Sequence, residues 1–193
     1  MSGAAAEPAA FKGHRRFAAF WDWAVRREGA AERRMRRQAA ESVTGRVLEI
    51  GVGVGANWQY LPAGVDYVGI EPDPHMLQRA RSHAAGASRE MRLEQARAEE
   101  LPFEDESFDS VFVTLTLCTV EDPARALSEV WRVLKPGGLL TFFEHIRPDG
   151  WLLGPIFDGV TPLWRRVGAG CHPNRRTLEA IRVADFQLGD MRR

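Results

Sequence analysis

Short apolar runs alternate with helically spaced apolar residues along most of the chain. The runs predict strands at 46–50, 66–70, 92–96, 108–114, 139–143 and 186–191. Helical spacing and capping residues predict helices near 56–60, at 74–83, from 122 to the Pro136-Gly137-Gly138 stop, in part of 151–170, and at 176–183. Strands that alternate with helices indicate right-handed crossovers and a mainly parallel sheet. We therefore expect an α/β, doubly wound fold with helices on both faces.

The segment before the first strand is predicted to form one or two helices that cover the domain as a lid. Phe17, Phe20 and Trp21 recur at helical spacing there. The arginine-rich run at 26–38 follows them, and we interpret it as a solvent-exposed helix face. The alternative is a role for this run at a membrane surface or with an acidic partner.

Composition limits the function without defining it. The chain has 193 residues, 45% of them hydrophobic, which is enough to fill one α/β core without disulfides or metal. Acidic and basic residues number 26 each, so no nucleic-acid partner is expected. Two cysteines, Cys118 and Cys171, make no disulfide framework, and neither a secretory signal nor a membrane-spanning run occurs. We expect a cytoplasmic protein without integral membrane association, and the oligomeric state stays open.

A glycine run directly after the first strand carries the strongest local signal. Gly51, Gly53 and Gly55 alternate there, which lets a ligand approach the backbone closely and implies a nucleoside-containing cofactor. Taken alone, the run also satisfies the dinucleotide fingerprint, with Glu71 at the distance expected of a ribose-binding carboxylate. Glu49, just before the run, would repel a pyrophosphate and attract an ammonium or sulfonium, which favours S-adenosylmethionine over NAD.

The sequence motifs downstream extend this interpretation. In order, VLEIGVGVGAN, GIEPDPHML, AEELPFEDESFDSVF and EVWRVLKPGGLLTFFEH resemble the successive motifs of the class I S-adenosylmethionine-dependent methyltransferases, which have a Rossmann-like sheet. The resemblance covers the chain from Arg46 onward. It implies a tail at 1–15 and one domain at 16–193, made of a helical extension at 16–42, a cofactor-binding core at 46–145 and acceptor-side helices with a last strand at 146–193.

The resemblance also implies a set of cofactor-binding residues. The first motif surrounds the methionine part and ribose, Glu71 binds the ribose hydroxyls, the segments at 72–76 and 98–99 flank the adenine, and the end of the fourth strand lies near the methyl group. Many relatives carry an aspartate where this chain has Arg97, so adenine recognition is expected to rest on backbone groups. The implied residues are Glu49, Gly51, Gly53, Gly55, Asn57, Glu71, Pro72, Met76, Ala98, Glu99, Thr114 and Leu115.

Four further segments, GANW, LTLCTVEDP, FFEHIRP and AGCHPNRRT, are similar to a bacterial branch related to the thiol S-methyltransferases. This similarity implies a small apolar thiol as acceptor, with His145 as the base that removes its proton or, equally, as a residue that orders its loop. Asp158 is a further candidate on the acceptor side. No metal site is predicted, because Cys118, Cys171, His145 and His172 lack paired spacing.

Several alternatives stay open. Aromatic residues of the lid and of 151–164 line an acceptor pocket in one interpretation and belong to an ordinary core in the other. Other acceptors are a quinone precursor, a lipid headgroup or a secondary metabolite. From other classes, an NAD(P)-binding oxidoreductase and an inactive cofactor-binding module remain. The family fold closes with two antiparallel strands, and only the first of them is expected within this sequence, which would leave an incomplete pair and an open sheet edge.

Overall fold

A computed structural model describes residues 11–87, 90–184, 186–187 and 189. Residues 1–10 of the tail predicted at 1–15 and most of the strand predicted at 186–191 fall outside these residues. Parallel strands and the helices between them make up the described part. The helices are α1 (Arg15–Val25), α2 (Ala30–Glu41), α3 (Pro74–Ala84), α4 (Pro123–Val133), α5 (Leu153–Val167) and α6 (Thr177–Val183). The strands are β1 (Arg46–Ile50), β2 (Asp66–Ile70), β3 (Arg92–Glu94), β4 (Phe108–Thr114) and β5 (Leu134–Phe143).

The five strands form one parallel sheet in the order β3-β2-β1-β4-β5. The chain builds outward from β1 through β2 to β3, then returns to the other side of β1 with β4 and β5. The switch point of the sheet therefore lies between β1 and β4, where the loops after these two strands diverge. The doubly wound α/β prediction is confirmed, and β1, β2 and β4 have the bounds that were predicted.

Successive residues of the central strands serve two separate cores, which is why the sheet needs helices on both faces. Leu48 belongs to the larger core, together with apolar residues of α4 and α6. Val47 and Phe112 face the other way and pack with Ala40 at the end of α2. All of these side chains are almost fully buried. The continuous apolar character of β1 and β4 thus follows from burial on both faces.

Several predicted boundaries differ from the structure, among them the start of β5, which lies at Leu134 instead of Leu139. Only a 3₁₀ turn, Trp58–Tyr60, stands where a helix was predicted near 56–60, because Leu61 precedes Pro62 and takes an extended conformation. Strand β3 ends at Glu94 instead of continuing to 96, since its partner strand ends at Ile70. Helix α4 ends before the predicted stop at Pro136-Gly137-Gly138, which instead bulges out of β5 between two registers of the β4 ladder.

The N-terminal helices lie where a lid was predicted. Asp22 of α1 is buried and accepts hydrogen bonds from Arg26 and from Arg79 of α3, at 3.1 and 2.8 Å. Asp73, the N-cap of α3, accepts a bond from the backbone N–H of His14. These contacts hold α1 against α3, beside the loop after β1. Among the described residues, no helix is both long and apolar enough to cross a membrane.

Candidate functional site at the carboxyl edge of the sheet

The loops after β1, β2, β4 and β5 all lie at the carboxyl edge of the sheet, because the strands are parallel. Each loop carries, at or next to its first position, a residue that the sequence analysis proposed for the site. Gly51 follows β1, Glu71 follows β2, Leu115 follows β4, and Glu144 with His145 follows β5. The fold therefore brings the predicted cofactor residues and the predicted base to one edge.

The glycine loop touches both neighbouring loops. Gly51 has φ +76°, and a Cβ built on it would lie 2.0 Å from Thr116 Oγ1, so only glycine fits there. Gly53 has φ +59°, its N–H donates to Glu71 Oε2 at 2.9 Å, and a Cβ would meet the Trp21 indole at 3.6 Å. The loop is thus held between β2, β4 and the lid helix α1, with its glycine backbone only half-buried.

Glu71 is a buried carboxylate at the centre of this edge. Its second oxygen accepts the backbone N–H of Asp73 at 2.9 Å. Burial raises the pKa of Glu71 to about 7, and the hydrogen bonds from Asp73 and Gly53 oppose that shift. Each carboxylate oxygen has two lone pairs and uses one in these bonds. The remaining acceptor positions fit the paired hydroxyls of a ribose.

The four residues predicted to flank an adenine differ from one another in burial and in contacts. Met76 is buried beneath α1 with Ala18 and Val54, and Pro72 is half-buried beside Glu71. Ala98 packs in the larger core. The carboxylate of Glu99 accepts the backbone N–H groups of Glu121 and Asp122, at 2.8 and 3.3 Å, so it orders the start of α4. These four cofactor assignments remain predictions.

Arg97, where many relatives have an aspartate, lies beside this segment. Its guanidinium pairs with Glu99 and Glu121, at 3.5 and 2.7 Å. The hydrogen bond from Glu121 is the largest cause of a raised pKa at Arg97. The side chain is therefore engaged with carboxylates of the protein, in keeping with adenine recognition through backbone groups.

Glu49 lies inside the protein, with no exposed surface. One oxygen accepts a bond from Asn57 Nδ2 and the other from the Tyr67 hydroxyl, both at 2.5 Å. Burial raises its pKa to about 7, against the effect of the bonds from Tyr67 and Asn57. Its position at the end of β1 is as predicted, but its carboxylate faces protein donors. A direct contact between Glu49 and a cofactor remains a prediction.

Arg36 is a site residue that the sequence did not reveal. Within the arginine run, Arg33, Arg34 and Arg37 are exposed as expected, but Arg36 is 3% exposed. It binds Glu28 at 2.6 Å, and its Nη1 donates to Asn57 Oδ1 and Thr114 Oγ1 at 3.3 and 3.1 Å. Interpreting the whole run as a solvated face is therefore wrong at one position. The network joins the glycine side of the site to the end of β4.

The loop after β4 is strained at its first residue. Leu115 has φ +54°, a conformation that costs a non-glycine residue about 1–3 kcal/mol. Its N–H donates to Phe143 O at 2.7 Å, and the next amides, Thr116 and Leu117, donate to one oxygen of Glu144 at 2.6 and 2.7 Å. Burial raises the pKa of Glu144 to about 7. The surrounding bonds thus hold the strained residue predicted to lie near the methyl group.

Two cysteines and a histidine meet beyond this loop. Cys118 and Cys171 are free thiols, both buried, with their sulfurs 3.6 Å apart. His145 Nδ1 lies 3.8 Å from Cys118 Sγ and 3.6 Å from Cys171 Sγ. The pKa of the Cys171 thiol is lowered, chiefly by its hydrogen bond with Cys118 and also by its hydrogen bond with His145. The pKa of His145 is raised, chiefly by its hydrogen bond with Cys171. Sequence spacing did not predict this cluster, because its members come from three separate segments.

Most of the remaining acceptor-side candidates are exposed, whereas Phe17 and Trp21 are half-buried and pack against the small core beneath α1. Asp158 on α5 accepts bonds from Arg147 and Asn174, at 2.8 and 3.0 Å, and the Arg147 bond lowers its pKa to about 2. Phe17 and Trp21 stack in the lid with ring centroids 5.9 Å apart. Other predicted aromatics are too exposed for an ordinary core: they are Trp151 (89%), Phe20 (56%) and Trp164 (45%).

Comparison with known proteins agrees with this edge as a cofactor site. The model of a methyltransferase domain family matches residues 48–142, from β1 almost to the end of β5. A phosphatidylethanolamine N-methyltransferase from Cereibacter sphaeroides is 33% identical over 68% of this chain and 66% of its own length. An S-adenosylmethionine-dependent methyltransferase from Thermotoga maritima, titled a possible histamine N-methyltransferase, superimposes with a TM-score of 0.69 at 29% identity, covering 90% of this chain and 80% of that one.

The fold, the edge and these matches together define the class. The chain belongs to the class I S-adenosylmethionine-dependent methyltransferases. Within that class it is similar to the thiol S-methyltransferase TMT1B of Rattus norvegicus, at 37% identity over 72% of this chain. It spans 59% of that relative's length, about three fifths.

Proposed function

We propose that this protein transfers the methyl group of S-adenosylmethionine to the sulfur of a small, hydrophobic thiol. The observation that carries the proposal is the similarity to TMT1B, whose 145 matched residues are more than the domain segment 48–142 contains. The match therefore draws on residues outside the general cofactor-binding core, as does the match to the phosphatidylethanolamine N-methyltransferase. The identity to the thiol enzyme is higher, at 37% against 33%, and this difference favours a thiol as acceptor.

The arrangement around the glycine loop supports the cofactor. S-adenosylmethionine, when bound, supplies a methyl group on a positively charged sulfur that leaves as a neutral thioether. In the proposed complex Glu71 accepts bonds from the ribose hydroxyls, and the half-buried glycines let the cofactor approach the backbone. Leu115, held in its strained conformation, would border the methyl group. The carboxyl groups of Glu49, Glu71 and Glu144, with pKa values raised to about 7, are partly ionised at neutral pH, and a bound cation would favour their charged forms.

On the acceptor side, orientation matters more than acid catalysis. A thiolate and a methyl carbon held at about 3–3.5 Å in line need no proton transfer during the displacement itself. The acceptor must lose its proton beforehand, and His145 is the exposed imidazole of this edge that can receive it. Helix α5 lies between His145 and Cys171 in the chain, and several of its apolar side chains, among them Trp164 and Val160, are exposed. They support a hydrophobic acceptor.

Both cysteines are free thiols, which supports a reducing, cytoplasmic setting. The proposed partner is a small molecule, and nothing on the cofactor side requires a macromolecule.

The test is methyl transfer from labelled S-adenosylmethionine to hexanethiol, with hexanol and hexylamine as matched controls. We expect label in the thioether and none in the products of the two controls. Glu71→Ala should lower the rate, since it removes the ribose acceptor. Equal transfer to the amine or the alcohol, or transfer only to a quinone precursor or a lipid headgroup, would contradict the proposal.

A further inference from the structure

The geometry of the cysteine and histidine cluster points to a metal site. We propose that Cys118, Cys171 and His145 bind a zinc ion with three protein ligands, and that its fourth position takes the sulfur of the thiol acceptor. The second part rests on the function proposed above. The first part stands on the cluster alone.

The distances match those between the ligands of tetrahedral zinc. Bonds of about 2.3 Å to sulfur and about 2.0–2.1 Å to nitrogen put two sulfurs about 3.8 Å apart and a sulfur and a nitrogen about 3.6 Å apart. The sulfurs of Cys118 and Cys171 are 3.6 Å apart, and His145 Nδ1 lies 3.8 and 3.6 Å from them. All three edges of the triangle therefore agree with a zinc-binding geometry to within about 0.2 Å.

The backbone around the three ligands is held in place by hydrogen bonds, most of which join the segments that carry them to one another or to α6. Cys118 N–H donates to Glu144 Oε2 at 3.2 Å, and Cys118 O accepts the backbone N–H of His172 at 2.8 Å. Cys171 N–H donates to Gly168 O at 3.0 Å, and His145 O accepts the hydroxyl of Thr177 at 3.3 Å. A metal would thus find the ligands preorganised and would tie α5 and α6 to the sheet.

The fourth position of the tetrahedron is open. Among the described residues, no other His, Cys, Asp or Glu joins the group of three. The neighbouring carboxylate of Glu144 is occupied by three backbone N–H groups. Two buried cysteines with one exposed histidine give a site that solvent reaches from the histidine side. Zinc with three protein ligands and an exchangeable position is the pattern of catalytic sites, whereas structural sites have four.

The location suits the methylation of a thiol. Cys118 lies in the loop after β4, two residues beyond Thr116, whose side chain touches Gly51 of the cofactor loop. A thiol that binds zinc releases its proton to solvent, and the sulfur stays a nucleophilic thiolate. The new carbon–sulfur bond then forms as the methyl–sulfonium bond breaks, and the electron pair of that bond goes to the departing sulfur. In this arrangement His145 holds the cation, and the zinc replaces the role of proton acceptor that His145 has in the metal-free site described above.

The experiment uses the full chain, freed of metal with a chelator and kept reduced with a phosphine, titrated with Co²⁺ as a spectroscopic substitute for Zn²⁺. We expect saturation at one Co²⁺ per chain with thiolate-to-cobalt charge-transfer absorption, abolished by one equivalent of Zn²⁺. Cys171→Ser should lose about half of this absorption, since one of two thiolates is removed. His145→Gln should weaken Co²⁺ binding by about 10-fold or more. His172→Gln is the matched control and should leave the spectrum unchanged.

The open position is tested by adding hexanethiol to the cobalt-loaded protein, with hexanol as control. A third thiolate should raise the charge-transfer absorption about 1.5-fold, and the alcohol should not. Absence of cobalt–thiolate absorption would overturn the metal site, and absorption that thiol leaves unchanged would overturn the assignment of its fourth position. Thiol methylation that persists in the zinc-free protein would refute the metal's role but preserve the proposed function. A thiol-responsive cobalt site without any methylation would refute the proposed function instead.

Discussion

The two halves of the sheet's carboxyl edge use different chemistry. On the glycine side, Glu49 lies in β1 and Glu71 follows the adjacent strand β2, and their carboxylates accept bonds from Tyr67 of β2 and from the loops after β1 and β2. On the acceptor side, sulfur and imidazole side chains converge from three segments that are far apart in the sequence. The first half has the groups that we propose for the S-adenosylmethionine site, and the second has the groups that we propose as zinc ligands. The two proposals thus concern chemically distinct parts of one edge.

Each half also has a buried carboxyl group directly after a strand, Glu71 after β2 and Glu144 after β5, so the two can be compared. Glu71 accepts two backbone N–H groups and Glu144 accepts three, and burial raises the pKa of each to about 7. The donors of Glu144 are consecutive amides of one loop, so it shapes that loop. The donors of Glu71 come from two different loops, after β1 and after β2, and each uses one oxygen. Similar burial thus shapes a single loop in one half, and in the other it accompanies the carboxylate that we propose as the ribose acceptor.

The largest expected effect comes from the residue that joins the halves. Arg36→Met would leave the Glu28 carboxylate without its cation and would remove the bonds to Asn57 and Thr114. Breaking a buried ion pair in this way costs about 3–5 kcal/mol of unfolding free energy. Chemical denaturation measures the loss. The exposed Arg34→Met is the control and should change stability by less than about 0.5 kcal/mol; equal effects would show that Arg36 contributes no more than its exposed neighbours.

The next effect tests the contact between the glycine loop and the loop after β4. Gly51→Ala should cost about 2–4 kcal/mol, because it adds a clash with Thr116 to the strain of φ +76°. Gly64→Ala has a similar φ, +81°, with no atom within 4 Å of the new Cβ, and should cost only about 1 kcal/mol. Thermal unfolding compares the two variants. Equal costs would mean that the Gly51 contact is unimportant.

A smaller effect is expected in cofactor affinity. Glu71→Ala should weaken binding of S-adenosylhomocysteine by about 1–3 kcal/mol, roughly 5- to 150-fold, because charge-assisted bonds to the ribose are lost. Glu94→Ala, at the end of the neighbouring strand β3, is the matched control and should bind normally. Calorimetric titration gives both affinities. Unchanged affinity in Glu71→Ala would refute the assignment of the ribose to this residue.

The smallest effect is a pH dependence on the glycine side. Burial raises the pKa of Glu49 from 4.5 to about 7, so its contribution to stability is fully present below pH about 4.5 and is lost as pH rises through about 7. Glu49→Gln should therefore gain stability relative to the wild type as pH increases from about 6 to about 7, by less than about 1.4 kcal/mol. Unfolding curves at several pH values measure this difference, with the exposed Glu100→Gln as control. A gain that shrinks with rising pH would contradict the account.

The glycine half was predictable from the sequence because its signals are local. Val47 to Gly55 carry the strand, the turn and the predicted cofactor contacts in one short stretch, and Glu71 directly follows the next strand. The bounds of β1, β2 and β4 followed from continuous apolar runs. The bulge at the start of β5 was not predictable from the Pro-Gly-Gly sequence, because the same residues also end helices.

The other half could not be assembled from the sequence. Nothing distinguishes Arg36 from the exposed arginines beside it until α2 is placed against Asn57 and Thr114. Likewise Cys118 and Cys171 are 53 positions apart, so their contact depends on how α5 returns to the sheet. Side-chain networks that join distant segments depend on tertiary geometry, which residue spacing does not encode.

The central claim is that the carboxyl edge of this sheet binds S-adenosylmethionine. Calorimetric titration of the purified protein with S-adenosylhomocysteine, beside parallel titrations with NAD and NADP, tests it most directly. The account predicts saturable binding of S-adenosylhomocysteine and none of either dinucleotide. Binding of a dinucleotide alone, or no binding of S-adenosylhomocysteine to the folded protein, would contradict it.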